Sequence, residues 1–167
     1  MTGKAYDEVV VPDTIGGYPV VGLGDSLFES ATLTSVTLPN TIESIGDRCF
    51  AYAYIPEVVI PDGVKNVGEQ AFYGSYLYRT GEIVIPASVE NIGAYAFSYI
   101  NRATNFVVDE DNMHYVSYEG VLYNKDMTTL INYPISKADE SYVVPESVTL
   151  IYCTAGAGPS CLIRRLR

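Results

Sequence analysis

LPNTIESIGDRCF (Leu38 to Phe50), IPDGVKNVGEQAF (Ile60 to Phe72) and IPASVENIGAYAF (Ile85 to Phe97) align residue for residue. A fourth copy, VPDTIGGYPVVGLGDSLF (Val11 to Phe28), carries five extra residues after Ile15. Gly24, Gly46, Gly68 and Gly93 hold one phrase position and fall 22, 22 and 25 residues apart. A unit this short cannot bury its own apolar face, so a repeat of this period predicts a stack of supersecondary units sharing one core.

Alternation within the phrase locates strands. Leu33, Val36 and Leu38 follow an L-x-x-L-x-L spacing, Ile55, Val58 and Ile60 repeat it, and Leu77, Ile83 and Ile85 follow with three extra residues around Gly81. Apolar residues at period two, rich in Val and Ile, predict short parallel strands near 35–38, 57–60, 82–85 and 105–108. Pro12, Pro39, Pro61, Pro86 and Pro145 close these strands, because proline has no N–H to extend a ladder. A second apolar pair follows in each copy (Ile42 and Ile45, Val64 and Val67, Val89 and Ile92), and then the glycine, placed where a tight or positive-φ turn suits it. Phe28, Phe50, Phe72 and Phe97 lie four residues beyond the first three glycines and the fourth, and are expected to stack as an internal aromatic ladder.

The phrase breaks at Asp109, which stands where proline is due. Gly120–Tyr123 and Thr128–Ile131 read as strands joined by the turn Asn124–Met127, a hairpin inserted over about 109–143. VPESVTLI (Val144 to Ile151) resumes the repeat. Residues 1–151 are therefore expected to form one solenoid. Residues 152–167 depart from the phrase and add Arg164, Arg165 and Arg167; they are expected to be a non-native or disordered tail. A stack without a polar cap leaves an apolar end, which suggests self-association through the C-terminal end.

The successive IP-x-x-V-x-x-IG-x-x-AF phrases, with the hairpin run EGVLYNKDMTTLINYP, resemble the BspA-like, or Treponema pallidum-type, leucine-rich repeats of bacteria over roughly Val9 to Ile151. The resemblance implies an α/β repeat fold: a right-handed leucine-rich-repeat solenoid with a parallel β-sheet on its concave face, here with an inserted β-hairpin. It also implies a secreted or cell-surface bacterial protein concerned with adhesion and with binding host extracellular or surface proteins. A structural spacer or stalk presenting other domains is the alternative. The phrase departs from the family at Leu27 and Cys49, where alanine is usual, and in lacking a Cys-x-x-Leu step after the phenylalanines.

Composition bears on partners. The net charge of −10 argues against nucleic acid, whose phosphates call for a basic face. No window approaches the roughly 18 apolar residues of a membrane span, and Met1 to Glu8 lacks the basic-then-apolar start of a signal peptide. Chemistry for catalysis is sparse: His114 is the single histidine, in a polar loop without a nucleophile signature, so no enzyme activity and no cofactor is expected. Asp109, Glu110, Asp111 and Asn112 cluster oxygens but lack the glycine and distal glutamate of an EF-hand loop, and read as a solvated turn. Cys49 reads as a compact core residue; Cys153 and Cys161 lie in the irregular tail, where a pairing is left open.

Candidate contact residues remain. Thr37, Val59, Val84 and Val107 form the outward column of the predicted strands, a mild apolar stripe. Tyr54 and Tyr76 share a repeat position beside it, and rigid aromatic rings supply contact area at low entropic cost. Either set also reads as β-propensity or as cover for the core edge.

Overall fold

The computed structural model describes residues 5–6, 8–139, 141–152 and 163–164. The chain winds as a stack of coils, and each coil touches its neighbours at equivalent phrase positions. Along one side, Thr32–Leu33, Tyr54–Ile55, Tyr76–Ile85 and Asn101–Val108 lie side by side in a five-stranded sheet that Ala5–Tyr6 begins. Gly22–Leu23, Ser44–Ile45, Asn66–Val67 and Asn91–Ile92 build a second, all-parallel sheet from the second apolar pair of each phrase. The long strands at 76–85 and 101–108 contain the predicted strands 82–85 and 105–108. Val36–Thr37 is a strand paired with Val9–Val10, whereas 57–60 takes no strand pairing.

The α/β expectation is corrected: the described residues contain no helix. What separates glycine from the next strand is a run of turns too short to nucleate one. Ser26, Arg48, Gln70 and Tyr95, two residues after the glycines, have φ of 54–58°, and Ser30, Tyr52, Gly74 and Tyr99, two after the phenylalanines, lie at 57–64°. The left-handed residues thus fall four apart and flank each phenylalanine. Every second N–H of this run donates along the stack to the next coil, as in Phe50 N–H to the Ala71 carbonyl at 2.7 Å.

The expected reason for the glycines is corrected too. Gly24, Gly46, Gly68 and Gly93 are absent from the positive-φ residues. A Cβ on Gly68 would instead meet the Asp47 nitrogen and the Gly46 carbonyl carbon at 2.6 Å, and one on Gly93 the Glu69 nitrogen at 2.5 Å. At Gly46, Gly68 and Gly93, close approach of the preceding coil, not backbone conformation, excludes a side chain.

Phe28, Phe50, Phe72 and Phe97 form the expected ladder, with ring centroids 5.0, 5.1 and 5.6 Å apart, and Phe106 ends it edge-on at 5.7 Å. Around them Leu33, Ile42, Ile45, Ile55, Val64 and Leu77 complete a continuous core. Cys49 is fully buried within it, and burial pushes its thiol up to about 12.

The insertion is a three-stranded meander, Tyr115–Tyr118, Val121–Asn124 and Thr129–Asn132, so the predicted hairpin is present with one more strand than expected. Glu119 and Gly120, at φ of 50° and 75°, make the two-residue turn that suits the strand twist. Val121–Asn124 is a wall between two cores. Leu122 faces the solenoid, while Val121 and Tyr123 face a second cluster with Leu130, Tyr133, Tyr142, Val144 and Val148, as alternation along a strand requires. Asn112, fully buried, pins the insertion to the stack. Its Nδ2 donates to the Pro86 and Val89 carbonyls at 2.8 and 3.0 Å, and its Oδ1 accepts from the His114 and Tyr115 amides at 2.8 Å.

After the insertion, residues 145–151 bond to the meander as one coil bonds to the one before it. Thr149 and Leu150 both donate to the Thr128 carbonyl, as Lys65 and Asn66 do to that of Glu43. Ser147 Oγ bonds the Met127 carbonyl as Ser88 Oγ bonds that of Val64. Of the tail 152–167, only Tyr152 and Ile163–Arg164 are described, the latter beside Tyr142–Val143 in parallel; Cys153 and Cys161 lie outside the described residues.

Candidate partner-binding surface

The predicted outward column is only partly assembled by strand pairing. Val84 pairs with Val107, and their side chains are 52% and 39% exposed. Thr37 is exposed and pairs with Val10, which is 63% exposed. Val59 occupies the equivalent position but is half-buried and outside the ladder, so it contributes less surface than expected. Val10 was legible yet missed. It precedes Pro12 by two residues as Thr37 precedes Pro39 and Val84 precedes Pro86.

Tyr54 and Tyr76 come together as predicted, stacked at 5.2 Å with 30° between ring planes. The register Tyr76↔Tyr54 brings them face to face, and Tyr76 opens the same long strand that carries Val84. Sequence reading did not find the third member of this stack. The Arg102 guanidinium lies 5.3 Å from the Tyr76 ring centroid and donates through Nη1 to the Tyr78 carbonyl at 2.7 Å. Arginine over tyrosine adds about 0.5–1 kcal/mol at an exposed site. No spacing rule identifies Arg102, because its partners are a coil away in sequence.

A second tyrosine row runs beside the first. Tyr52, Tyr73 and Tyr99 meet edge-on at 5.5 and 5.2 Å. Gly74 makes room for it, since a Cβ there would press on the Tyr52 ring at 2.8 Å. Arg48 tightens the neighbouring surface by pairing with Glu29 and donating to Gln70 Oε1 at 3.0 Å. The hydrogen bond from Arg48 holds the Glu29 carboxyl below its ordinary range.

The polar clusters flagged in the sequence are structural. Asp109 Oδ1 accepts from the Asp111 amide at 2.9 Å, and Asn112 is consumed by its four bonds. Among the described residues, no three His, Cys, Asp or Glu side chains group as metal ligands, and no helix is long and apolar enough to cross a membrane. The surface described offers non-covalent contact: apolar valines, tyrosine edges and hydroxyls, and a fixed guanidinium.

Known proteins place this architecture. No curated protein matches the chain. A leucine-rich repeat protein from Eubacterium ventriosum, solved at 2.50 Å, superposes with a TM-score of 0.64 at 24% identity, over 80% of this chain and 41% of that one. The pneumococcal vaccine antigen PcpA superposes with a TM-score of 0.50 at 20% identity, over 89% and 51%. A leucine rich cell surface protein from Faecalibacterium prausnitzii gives 0.49 at 23%, over 83% and 57%. The chain thus spans about half the length of these structures. The BspA type leucine rich repeat model matches residues 22–139 in six copies, and the chain belongs to that family.

Proposed function

We propose that this solenoid is a non-enzymatic, cofactor-free protein-binding module of a bacterial cell-surface or secreted adhesion protein, with a host extracellular or surface protein as partner. The observation that carries the reading is the exposed pair Val84 and Val107 on the same two strands as Tyr76 and Arg102, with Tyr54 stacked on Tyr76 from the neighbouring strand and a second exposed pair, Thr37 with Val10, in a separate sheet. Aromatic and arginine side chains on a rigid scaffold are the composition of interface hot spots. Rigidity adds affinity because contacts form without ordering a loop. The net charge of −10 favours a neutral or basic partner.

The test is binding of the purified chain to a panel of host extracellular proteins, compared with Val84→Lys/Val107→Lys and with Tyr54→Ala/Arg102→Ala. Both valines point outward, so the lysine pair should fold and should weaken binding at least about tenfold. Undiminished binding by both folded variants would move the contact elsewhere. Absence of binding by the intact chain would favour a spacer that presents other domains.

A further inference from the structure

Each turn of the stack gives three amide protons to the next. Ser26, Phe28 and Ser30 donate to the carbonyls of Asp47, Cys49 and Ala51 at 2.8, 2.7 and 2.8 Å. Arg48, Phe50 and Tyr52 donate to those of Glu69, Ala71 and Tyr73 at 2.9, 2.7 and 2.7 Å, and Gln70, Phe72 and Gly74 to those of Ala94, Ala96 and Ser98 at 2.9, 2.8 and 2.9 Å. The next row is Tyr95, Phe97 and Tyr99, with the same left-handed φ at Tyr95 and Tyr99. These three amides have no acceptor among the described residues.

The row ends because the insertion replaces the coil that would follow. Between the turn and the meander lies a cavity of about 360 Å³, walled by Ile92, Ala96, Phe97, Tyr115, Ile131 and Tyr152. Asn132 lines it as well. That residue is 8% exposed, and its side-chain amide makes no hydrogen bond among the described residues. No buried side-chain polar atom among the described residues lacks a partner, so the Asn132 amide reaches the cavity rather than being sealed from it. A row of unpaired N–H groups is also a template for another chain. The gap therefore combines main-chain donors, an unused amide and apolar walls.

We propose that this gap is a peptide-docking groove, which takes a short segment of a partner protein by main-chain pairing. Its carbonyls at alternate residues accept from Tyr95, Phe97 and Tyr99, an apolar side chain packs against Ile92 and Ile131, and Asn132 bonds the peptide backbone. The occupant's chemistry follows from continuity with the interface repeated three times below it. Only a peptide presents carbonyls in that register, and there the accepting segment carries the pattern Gly-x-x-Ala-Phe or close to it. The groove lies at the end of the turn column rather than on the valine column, so it is a second surface, independent of the one proposed above.

The probe is a synthetic peptide of residues 66–75, NVGEQAFYGS, titrated into the isotopically labelled full chain. Expected are chemical-shift changes at the Tyr95, Phe97 and Tyr99 amides, with hydrogen exchange there slowed at least about tenfold at saturation. A scrambled peptide should leave these signals unmoved. Ile131→Arg should abolish the effect, Asn132→Ala should weaken affinity several-fold, and Val84→Lys/Val107→Lys should change nothing. If Ile131→Arg does not fold, Thr129→Arg at the same wall replaces it. Amides already protected in the free monomer would mean the chain fills its own groove and would overturn the proposal. Shifts confined to other residues would overturn it too, as would a dimer in sedimentation that Ile131→Arg dissolves, which would make a second copy the occupant.

Discussion

Gly24 and Gly68 share a phrase position, and replacing each by alanine separates two explanations of why glycine is there. If the backbone demanded glycine, both substitutions would cost alike. If the preceding coil excludes a side chain, only Gly68→Ala should be costly. A Cβ on Gly68 would stand 2.6 Å from the Asp47 nitrogen and the Gly46 carbonyl carbon, where ordinary contacts begin near 3.4 Å, so the coils would have to part by about 0.8 Å. The obstacles are backbone atoms and cannot swing aside. Parting would stretch the bond from Gly68 N–H to the Ile45 carbonyl, now 2.8 Å, and that from Glu69 N–H to Asp47 Oδ1, now 2.7 Å. Overpacking costs about 1–3 kcal/mol and each weakened bond about 1 kcal/mol, giving about 3–5 kcal/mol for Gly68→Ala. At Gly24 a Cβ would meet nothing within 4 Å among the described residues, and the backbone is not left-handed. Gly24→Ala should then stabilise by about 0.4–1 kcal/mol, through lost freedom of the unfolded chain. Urea denaturation followed by tyrosine fluorescence measures both. Equal losses at the two sites would refute the close-approach argument, as would a Gly68→Ala variant within 1 kcal/mol of the parent.

The ladder makes a graded prediction: Phe72→Ala, between rings at 5.1 and 5.6 Å, should cost about 3–5 kcal/mol, and Phe28→Ala, with one neighbour at 5.0 Å, about 1–2 kcal/mol less. Equal costs in denaturation would sink the stacking account. Asn112→Ala strands two carbonyls and two amides and should cost about 2–4 kcal/mol, with faster hydrogen exchange over Tyr115–Tyr118 than elsewhere; a loss confined to the N-terminal coils would contradict its role as the pin. Tyr123 and Tyr142 share a hydroxyl–hydroxyl bond of 2.6 Å, and burial pushes both above the ordinary 10.0. A raised pKa favours the neutral form in the fold, so their contribution is intact below about pH 10 and falls as pH rises past it. Alkaline unfolding should be shifted to higher pH in Tyr123→Phe/Tyr142→Phe, and an unchanged midpoint would rule the pair out as its cause.

What was legible in the sequence was whatever repeats along it. The phrase placed the coils, the phenylalanines placed the core, and turn residues placed the strands of the hairpin. What stayed hidden depends on neighbours a coil away. The crowding of Gly68 by Asp47 and Gly46 is invisible along the chain, and so is the stacking of Arg102 on Tyr76. The second sheet was missed for another reason. Its strands are two residues long, Ser44–Ile45 and Asn66–Val67 among them, too brief for a period-two signal. Asn112 read as part of an acidic loop because its burial comes from the insertion folding back onto Pro86 and Val89. Of the candidate surface, the valine column and the tyrosine pair were read from phrase position, whereas the half-burial of Val59 was not.

The division of labour within the phrase explains how such a scaffold supports recognition. The left-handed residues Ser26, Arg48, Gln70 and Tyr95 differ in size and charge, although the left-handed backbone costs about 1–2 kcal/mol per residue. What holds the backbone there is the N–H of the same residues, bonded to the next coil at 2.8–2.9 Å for the first three. Their side chains are not buried, so identity at these sites is free of the fold. Phenylalanine, the second apolar pair and glycine are bound to the fold instead. A surface residue can therefore change without disturbing the stack, provided that the stack continues. At Tyr95 the amide has no acceptor among the described residues and borders the cavity walled by Phe97, Ile131 and Asn132. The place where the repeat is interrupted is thus where the proposed peptide would take over the bonding of the missing coil.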